Sequence, residues 1–499
     1  MFRTAHCHPD RHPITPGREH QMTELCDLSA SQLGTMIRTK EVSPVEIMES
    51  CIARTKLVDG ALNAMVTPAF DTALTAARAA EDAVMRGDDL GLIHGLPVAV
   101  KDLDATAGIR TTYGSRLHRH DVPDADQGSV ARIKAQGGIV LGKTNTPEFG
   151  AGGNTRNMLF GPTSNPFDVE KTCGGSSGGS AVALATGMAP LATGSDYGGS
   201  LRTPAGFCGI VGFRPSPGIV PIEDSGVGLH PFAVLGPMAR CVDDVSLLLR
   251  AMMGFDPRDI FSSGAHRDLL APPVAADPGR LRVAISADLG LAAMSAASRA
   301  LFAERVELFC HHFGVVEECH PDLSDVDNAF EVLRGVGFVA AYDQLVAAHR
   351  EDMSPNVIDN VERGLGFSVR DIATAHLQQS RIARNWLSLF DDFDVLICPV
   401  ASVSPFPHAE WSVTEIDGQK MASYMSWLGI VYGPTMALAC AAALPCGVDA
   451  AGMPFGIQLL GAPGKDRKLL EVAKSLEIIL AENPLTARVV PDLDPLKAL

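Results

Sequence analysis

Short apolar runs and helical patterns alternate along the first part of the chain. Residues 96–102 (LPVAVKD) form an apolar run that ends in charged residues, which predicts a buried strand with Lys101 at its carboxyl end. Residues 129–136 have a helical pattern that two glycines stop, and the apolar run 139–141 then predicts the next strand. This alternation indicates an α/β fold.

Similar patterns recur elsewhere in the chain. Residues 43–46 (SPVE) form a capping box with proline at the first helical position, so a helix is predicted to begin there. Helices are also predicted for the alanine-rich stretch 71–86 and for 298–313, where large apolar residues keep helical spacing. A further buried strand is predicted at 394–399.

The domain organisation follows from continuity of the pattern, because no internal repeat and no clear linker interrupts it. We expect a disordered leader at residues 1–22 and a single domain over 23–490. The motif-rich core of this domain covers 95–245, and a helical elaboration covers about 255–390.

One segment is long and apolar enough to raise the question of a membrane span. Residues 421–448 carry no charge over 28 positions. Pro434 and Pro445 interrupt this segment, which also contains several glycine and serine residues. The pattern therefore favours a buried core segment over a transmembrane helix.

Composition excludes several classes of protein. Of the 499 residues, 46% are apolar and 20% are charged, which excludes a disordered chain and provides for a large core. The formal net charge of −17 disfavours binding to nucleic acid or to an anionic membrane surface. The eleven cysteines include no CxxC pair, and the amino terminus has no apolar signal segment. These features predict a reduced, cytoplasmic protein.

Several motif-like segments are better explained without the function that they suggest. Residues 137–144 match a phosphate-binding loop, but the predicted strand lies inside the motif instead of before it. Residues 174–178 match the GxSxG turn of α/β-hydrolases, but a poor strand precedes them and no downstream histidine is marked as a base. A Ser-His-Asp esterase is therefore a less favoured alternative. The His/Cys groups at 6–12 and 310–320 lack a convincing ligand spacing, so no metal site is predicted.

Two glycine-serine segments carry the strongest chemical signal. Residues 171–180 (KTCGGSSGGS) and 196–204 (DYGGSLRTP) each place Gly-Gly before a serine, which lets backbone N–H groups converge on one point, as an oxyanion requires. Serine needs a base, and no histidine is near in the sequence. Lys101 is the candidate base, because an apolar setting lowers a lysine pKa and leaves a neutral amine.

Together these segments resemble the amidase signature hydrolases. The resemblance is densest over 95–245 and rests on the segments 98–102, 142–149, 174–180, 196–202, 204–209, 211–215, 236–240 and 454–459. It implies an α/β amidase signature fold, in which a large mixed central sheet is covered by helices on both faces.

The resemblance also implies the residues of a catalytic site. Ser200 would be the nucleophile, Lys101 the base, and Ser176 the bridging serine, after a cis peptide bond that follows Gly175. The separations in the chain, 75 residues from Lys101 to Ser176 and 24 from there to Ser200, are those of the family motif. The oxyanion hole would be formed by the backbone N–H groups of Tyr197, Gly198, Gly199 and Ser200. The supporting residues would be Gly175, Ser177, Asp196 and Arg202.

The implied activity is hydrolysis of a carboxylic amide through an acyl-Ser200 intermediate, with no metal and no organic cofactor. The uncharged context favours an apolar or aryl amide as the small-molecule substrate, and esters or carbamates use the same acyl-transfer chemistry. Phe149, Asn154 and Met158 are predicted to line the acyl side of the pocket. No nucleic-acid or membrane partner is expected. The oligomeric state stays open, although a homodimer is the commonest symmetric assembly.

The family also includes the glutaminyl-tRNA amidotransferase subunit, which releases ammonia from glutamine for a partner. This chain has Tyr197 and the segment 201–204 (LRTP) where that subunit usually has Thr and Ile-Arg-Gln-Pro. The sequence therefore favours a free-standing hydrolase, and a subunit that works only inside a complex is the alternative.

Overall fold

The computed structural model describes residues 24–223, 226–264 and 266–498. The predicted leader at 1–22 and the His/Cys group at 6–12 lie outside the described residues. The division into a leader and one domain stays a prediction. Across the described ranges, no helix has the length and apolar character needed to cross a membrane.

Helices and strands alternate through most of the described chain. The α-helices are α1 (Ala30–Arg38), α2 (Pro44–Leu62), α3 (Phe70–Arg86), α4 (Gly128–Ala135), α5 (Gly178–Ala185), α6 (Arg202–Cys208), α7 (Val242–Met252), α8 (Ala296–Phe309), α9 (Val326–His349), α10 (Pro355–Leu365), α11 (Val369–Asp392), α12 (Gly429–Met436) and α13 (Asp466–Ala481). The strands are β1 (Met65–Pro68), β2 (Pro97–Lys101), β3 (Ile139–Thr144), β4 (Arg156–Asn157), β5 (Gly161–Pro162), β6 (Ser164–Asn165), β7 (Asp168–Thr172), β8 (Leu191–Asp196), β9 (Val211–Arg214), β10 (Val234–Ala239), β11 (Arg282–Ile285), β12 (Val315–Glu318), β13 (Val395–Pro399), β14 (Glu415–Ile416), β15 (Gln419–Lys420), β16 (Cys440–Val448) and β17 (Pro454–Gly461).

The predicted elements of the motif core lie where the hydrophobic pattern placed them. The Ser43 hydroxyl accepts from the Val45 N–H and the Glu46 carboxylate accepts from the Ser43 N–H, so the predicted capping box begins α2. Strand β2 is fully buried and ends at Lys101. Strand β3 occupies the last six of the eight residues of the 137–144 motif, which excludes the phosphate-loop interpretation.

An 11-stranded mixed sheet forms the centre of the molecule, which confirms the predicted fold class. Its strand order is β1-β3-β2-β8-β10-β9-β16-β17-β13-β11-β12. Strand β2 runs parallel to both β3 and β8, whereas β10, β9, β16 and β17 pair antiparallel. The strands β11 and β12 are parallel and close one end of the sheet.

Two groups of helices cover this sheet. Helices α5 and α6 pack against each other and against the strands from β8 to β17, and α7 and α13 form a second contacting pair. The region from 255 to 390 contains α8, α9, α10 and most of α11. It also supplies β11 and β12 to the sheet, which the sequence did not indicate because these strands are short.

The uncharged segment 421–448 folds into the core, as predicted. It consists of a 3₁₀ turn at Ser426–Leu428, then helix α12, then strand β16 in the middle of the sheet. Pro434 lies inside α12, and the helix ends two residues later.

Candidate active site

The central strands bring the candidate residues to one edge of the sheet. Strands β2 and β8 are parallel neighbours, with Val98 opposite Leu191 and Ala99 opposite Ala192. Their carboxyl ends therefore lie side by side, and β2 ends at Lys101 while β8 ends at Asp196. Ligand and catalytic sites commonly form at this edge of parallel strands.

The Lys101 amine lies among three serine hydroxyls. Its Nζ atom is 2.7 Å from Ser176 Oγ, 2.9 Å from Ser177 Oγ and 2.9 Å from Ser195 Oγ. The Lys101 side chain is fully buried. An amine in this position can exchange a proton with Ser176 directly.

Burial changes the protonation of this lysine. Desolvation lowers the pKa of Lys101 to about 7, against the opposing effect of the carboxylates of Asp104 and Asp196. A substantial fraction of the amine is therefore neutral near pH 7. Lys143, on the neighbouring strand β3, is also buried, and desolvation lowers its pKa to about 8. Its amine, however, donates to the Asp104 carbonyl and to the hydroxyls of Thr106 and Thr111 and does not reach the serines.

The serine-rich loop before α5 approaches its neighbours closely. The peptide bond between Gly175 and Ser176 is cis, as the family resemblance implies. A Cβ atom on Gly175 would lie 2.6 Å from the Gly152 carbonyl oxygen, so only glycine fits there. The Ser177 N–H donates to the Ser200 carbonyl over 3.3 Å, which joins this loop to the second glycine-serine segment.

Asp196 holds the second segment around Ser200. Its carboxylate accepts hydrogen bonds from the N–H groups of Gly199 (2.9 Å) and Leu201 (3.2 Å). The Arg202 guanidinium binds the same carboxylate through Nε and Nη2, both at 3.0 Å, and Arg214 Nη1 lies 3.3 Å away. Although burial opposes ionisation, these two arginines hold the pKa of the Asp196 carboxyl well below its usual range. Asp196 is therefore ionised and fixes the backbone on both sides of Ser200.

Gly199 differs from the expected oxyanion hole. Its N–H is donated to Asp196 and is not available to a substrate. Within the described ranges, the N–H groups of Tyr197, Gly198 and Ser200 have no acceptor. The role of Gly199 lies in its backbone, because its φ of +107° favours glycine and a Cβ would lie 2.4 Å from Val431 Cγ2.

Ser200 and Ser176 both line a cavity of about 290 Å³. The Ser200 hydroxyl has no hydrogen-bond partner in the part of the chain that the structure describes. The hydrogen bond between Ser200 and Ser176 that the proton relay requires is therefore not formed. Catalytic hydrogen bonds in a resting enzyme are often long and shorten only when substrate binds.

The predicted pocket residues do not all reach this cavity. Phe149 lines it, and its ring stacks on Tyr342 with the centroids 4.6 Å apart. Asn154 does not line it, because its amide group bonds the carbonyls of His408 and Glu410 and the Thr172 hydroxyl. Met158 does not line it either and lies in the loop between β4 and β5. Of the three residues predicted for the acyl side of the pocket, the structure therefore brings Phe149 to this cavity and not Asn154 or Met158.

Sequence reasoning missed the residues that helix α9 contributes. Arg334, Phe338 and Tyr342 line the cavity, spaced four residues apart on one side of the helix. No signal in the sequence connects a helix more than 130 residues downstream with Ser200. Ser195 was also missed, although it stands directly before Asp196 in the motif.

His230 lines the cavity and is the histidine that could serve as the base in a Ser-His-Asp mechanism. Burial lowers the pKa of His230, so its ring is neutral at pH 7. The ring packs against Phe232 at 4.7 Å. In the described ranges it forms no hydrogen bond with a serine or a carboxylate, so the geometry of a Ser-His-Asp triad is not present.

Comparison with known proteins shows the family of this chain. A family model described as Amidase matches residues 46–470. The chain is 31% identical over 460 residues to an acylamidase of Rhodococcus erythropolis, covering 91% of this chain and 95% of that protein. It is 33% identical over 493 residues to a glutamyl-tRNA(Gln) amidotransferase subunit of Anaeromyxobacter dehalogenans, covering 92% of this chain and 98% of the relative.

Similarity to solved structures also indicates the amidase signature family. The crystal structure of a bacterial aryl acylamidase of the amidase signature family superposes with a TM-score of 0.85 at 27% identity, covering 92% of this chain and 96% of that one. The two proteins therefore share one fold over nearly their whole length. The chain belongs to the amidase family and is an enzyme that hydrolyses amides.

Proposed function

We propose that this chain hydrolyses an apolar or aryl amide as a free-standing enzyme, through an acyl-Ser200 intermediate formed by a Lys101–Ser176–Ser200 relay. The observation that carries the proposal is the 2.7 Å contact between Lys101 Nζ and Ser176 Oγ at the wall of the cavity that Ser200 also lines. Hydrolysis of an aryl amide by the purified chain, followed by mass spectrometry, tests it. Esters and carbamates belong in the same panel because they undergo the same acyl transfer.

The reaction begins with proton transfer along the relay. Neutral Lys101 accepts the proton of the Ser176 hydroxyl, and Ser176 accepts the proton of Ser200. The Ser200 oxygen attacks the amide carbonyl, and the carbonyl π electrons move onto its oxygen. The N–H groups of Tyr197, Gly198 and Ser200, for which the described residues offer no acceptor, would bind this oxyanion.

The second half of the reaction returns the protons. The relay delivers a proton to the leaving amine as the C–N bond breaks, and the acyl group stays on Ser200. Water then attacks the ester carbonyl while the relay accepts its proton, and the carboxylic acid leaves as Ser200 is protonated again. This sequence uses only groups of the chain, the substrate and water.

A subunit that releases ammonia from glutamine inside a complex is the second candidate, favoured by the 33% identity to an amidotransferase subunit. The two candidates differ in what the chain can do alone. We expect the purified chain to turn over simple aryl amides without added proteins, because its cavity is already formed. Turnover of glutamine only after partner proteins are added, with no aryl amide cleaved, would support the second candidate.

The relay also predicts that chelators do not affect the activity. Lys101, Ser176 and Ser200 supply the proton transfers and the nucleophile, so prolonged dialysis against a chelator should leave kcat/KM unchanged. The measurement is the rate before dialysis, after dialysis and after addition of zinc. A loss that zinc reverses would contradict the relay as the complete catalytic unit.

A further inference from the structure

The substrate cavity contains a guanidinium group whose charge no neighbouring carboxylate neutralises. Arg334 lines the cavity beside Tyr197 and Ser200, and its side chain is only 6% exposed. No carboxylate of the described residues lies within 4 Å of its nitrogen atoms. The other buried arginines near the site, Arg202 and Arg214, both pair with Asp196. Arg334 is therefore a buried cation without a counter-ion.

Neutral groups hold Arg334 in place. Its Nε atom donates to Asn360 Oδ1 and its Nη2 atom donates to Tyr424 Oη, both at 2.9 Å. The guanidinium carbon lies 5.0 Å from the centre of the Tyr197 ring and 4.5 Å from that of Phe338. Nη1 has no acceptor in the described part of the chain, so Nη1 and the second N–H of Nη2 are available to a ligand.

The other ionisable groups around the cavity do not cancel this charge. Asp196 is already paired with two arginines. His230 is neutral at pH 7, since burial lowers its pKa. Lys101 adds either no charge or a positive one. Among the ionisable groups that line the cavity, the charge of Arg334 is therefore the one that no paired carboxylate neutralises, in a chain whose formal net charge is −17.

We propose that the substrate is an amide that also carries a carboxylate, and that this carboxylate binds Arg334 while the scissile carbonyl lies at Ser200. The inference rests on the proposed function and, of the two substrate classes named there, selects aryl amides that carry a carboxylate over wholly apolar amides. A guanidinium binds a carboxylate through two N–H groups, and this pairing is strongest where water is excluded. The stacked rings of Phe149 and Tyr342 provide an apolar wall for the rest of the substrate.

The carboxylate can belong to the acyl part or to the amine part of the substrate, and two pairs of amides distinguish these sources. Succinic acid monoanilide is compared with 4-methylpentananilide, and 3-acetamidobenzoate with 3-isopropylacetanilide. In each pair an isopropyl group replaces the carboxylate at nearly the same volume. We expect kcat/KM to be at least tenfold higher for the charged member of one pair, and that pair identifies the source.

Substitution of Arg334 tests the contact itself. In Arg334→Met the ratio of kcat/KM between charged and neutral members should fall to within about threefold of one, and Arg334→Lys should restore part of the preference. Arg384→Met is the control, because Arg384 is an exposed arginine on α11 that does not line the cavity. The control removes the same charge and should keep the full preference. If Arg334→Met does not fold, Arg334→Gln replaces it.

A failure of the carboxylate inference and a failure of the proposed function give different results. Turnover of the neutral amides without any preference for a carboxylate in wild type would overturn the inference and leave the proposed function intact. A tenfold preference that survives in Arg334→Met would also overturn it. If none of the four amides is hydrolysed, the proposed function fails. The contact with Arg334 is then tested separately, by calorimetric measurement of how tightly the charged and neutral amides bind to wild type and to Arg334→Met.

Discussion

Replacing Ser200 with alanine is expected to lower kcat/KM for an aryl amide by roughly 10³-fold or more. The reason is that Ser200 supplies the atom that forms the covalent intermediate, and neither Ser176 nor Lys101 can take over that bond from its position. The expected loss concerns chemistry and not folding, because the Ser200 hydroxyl has no hydrogen-bond partner among the described residues. Steady-state kinetics together with a thermal unfolding curve measures both quantities.

Ser180 provides a matched control for this substitution. It belongs to the first glycine-serine segment and is buried, but its hydroxyl bonds the Thr144 hydroxyl and the Thr193 carbonyl and does not line the cavity. Ser180→Ala should cost about 1 kcal/mol in the free energy of unfolding and change kcat/KM only a few-fold. Comparable losses of activity in Ser180→Ala and Ser200→Ala would show that the effect is structural.

Replacing Lys101 with arginine is expected to leave the enzyme nearly inactive although the positive charge is kept. Arginine does not deprotonate in proteins, so it cannot accept the proton of Ser176. A variant that keeps more than about a tenth of the wild-type kcat/KM, a loss below about 1.4 kcal/mol, would contradict the assignment of Lys101 as the base. Circular dichroism of the variant separates loss of catalysis from loss of the fold.

The same lysine should determine the pH dependence. Only the neutral amine accepts a proton, and burial lowers the pKa of Lys101 to about 7. As the pH falls below this value the charged form dominates, so kcat/KM should decrease about tenfold per pH unit on the acidic side. His230→Gln, His266→Gln and His408→Gln should each leave this acidic limb in place. Disappearance of the limb in one of them would identify a histidine as the base.

Much of this site could be predicted because each of its separate segments carries a signal of its own in the sequence, and because the segments together resemble one family. The strand that ends at Lys101 shows in its apolar run, and the two glycine-serine segments show the backbone freedom that an oxyanion site needs. The capping box of α2 and the strand inside the 137–144 motif are equally local. Local chemistry of this kind determines local geometry, and the structure confirms the two strands and the capping box.

The rest of the site depends on contacts between distant segments. Arg334 and Tyr342 reach the cavity through helix packing, which no periodicity specifies. Asn154 stands near the motif in the sequence, but its amide bonds the His408 carbonyl and the Thr172 hydroxyl and does not line the cavity. The Gly199 N–H was assigned to the substrate, yet the neighbouring Asp196 carboxylate accepts it in the fold. For Arg334, Tyr342 and Asn154 a contact with a distant segment decides the arrangement, whereas for Gly199 the deciding contact is local.

The central claim is that Ser200 becomes acylated, and the most direct measurement is the identity of the labelled residue. The wild-type enzyme is incubated with a fluorophosphonate probe, digested, and sequenced by tandem mass spectrometry. We predict that the label lies on Ser200 and that Lys101→Arg greatly slows its incorporation. A label on Ser176 or Ser177 instead, with Ser200 unmodified, would contradict the assignment and favour a nucleophile in the GxSxG turn.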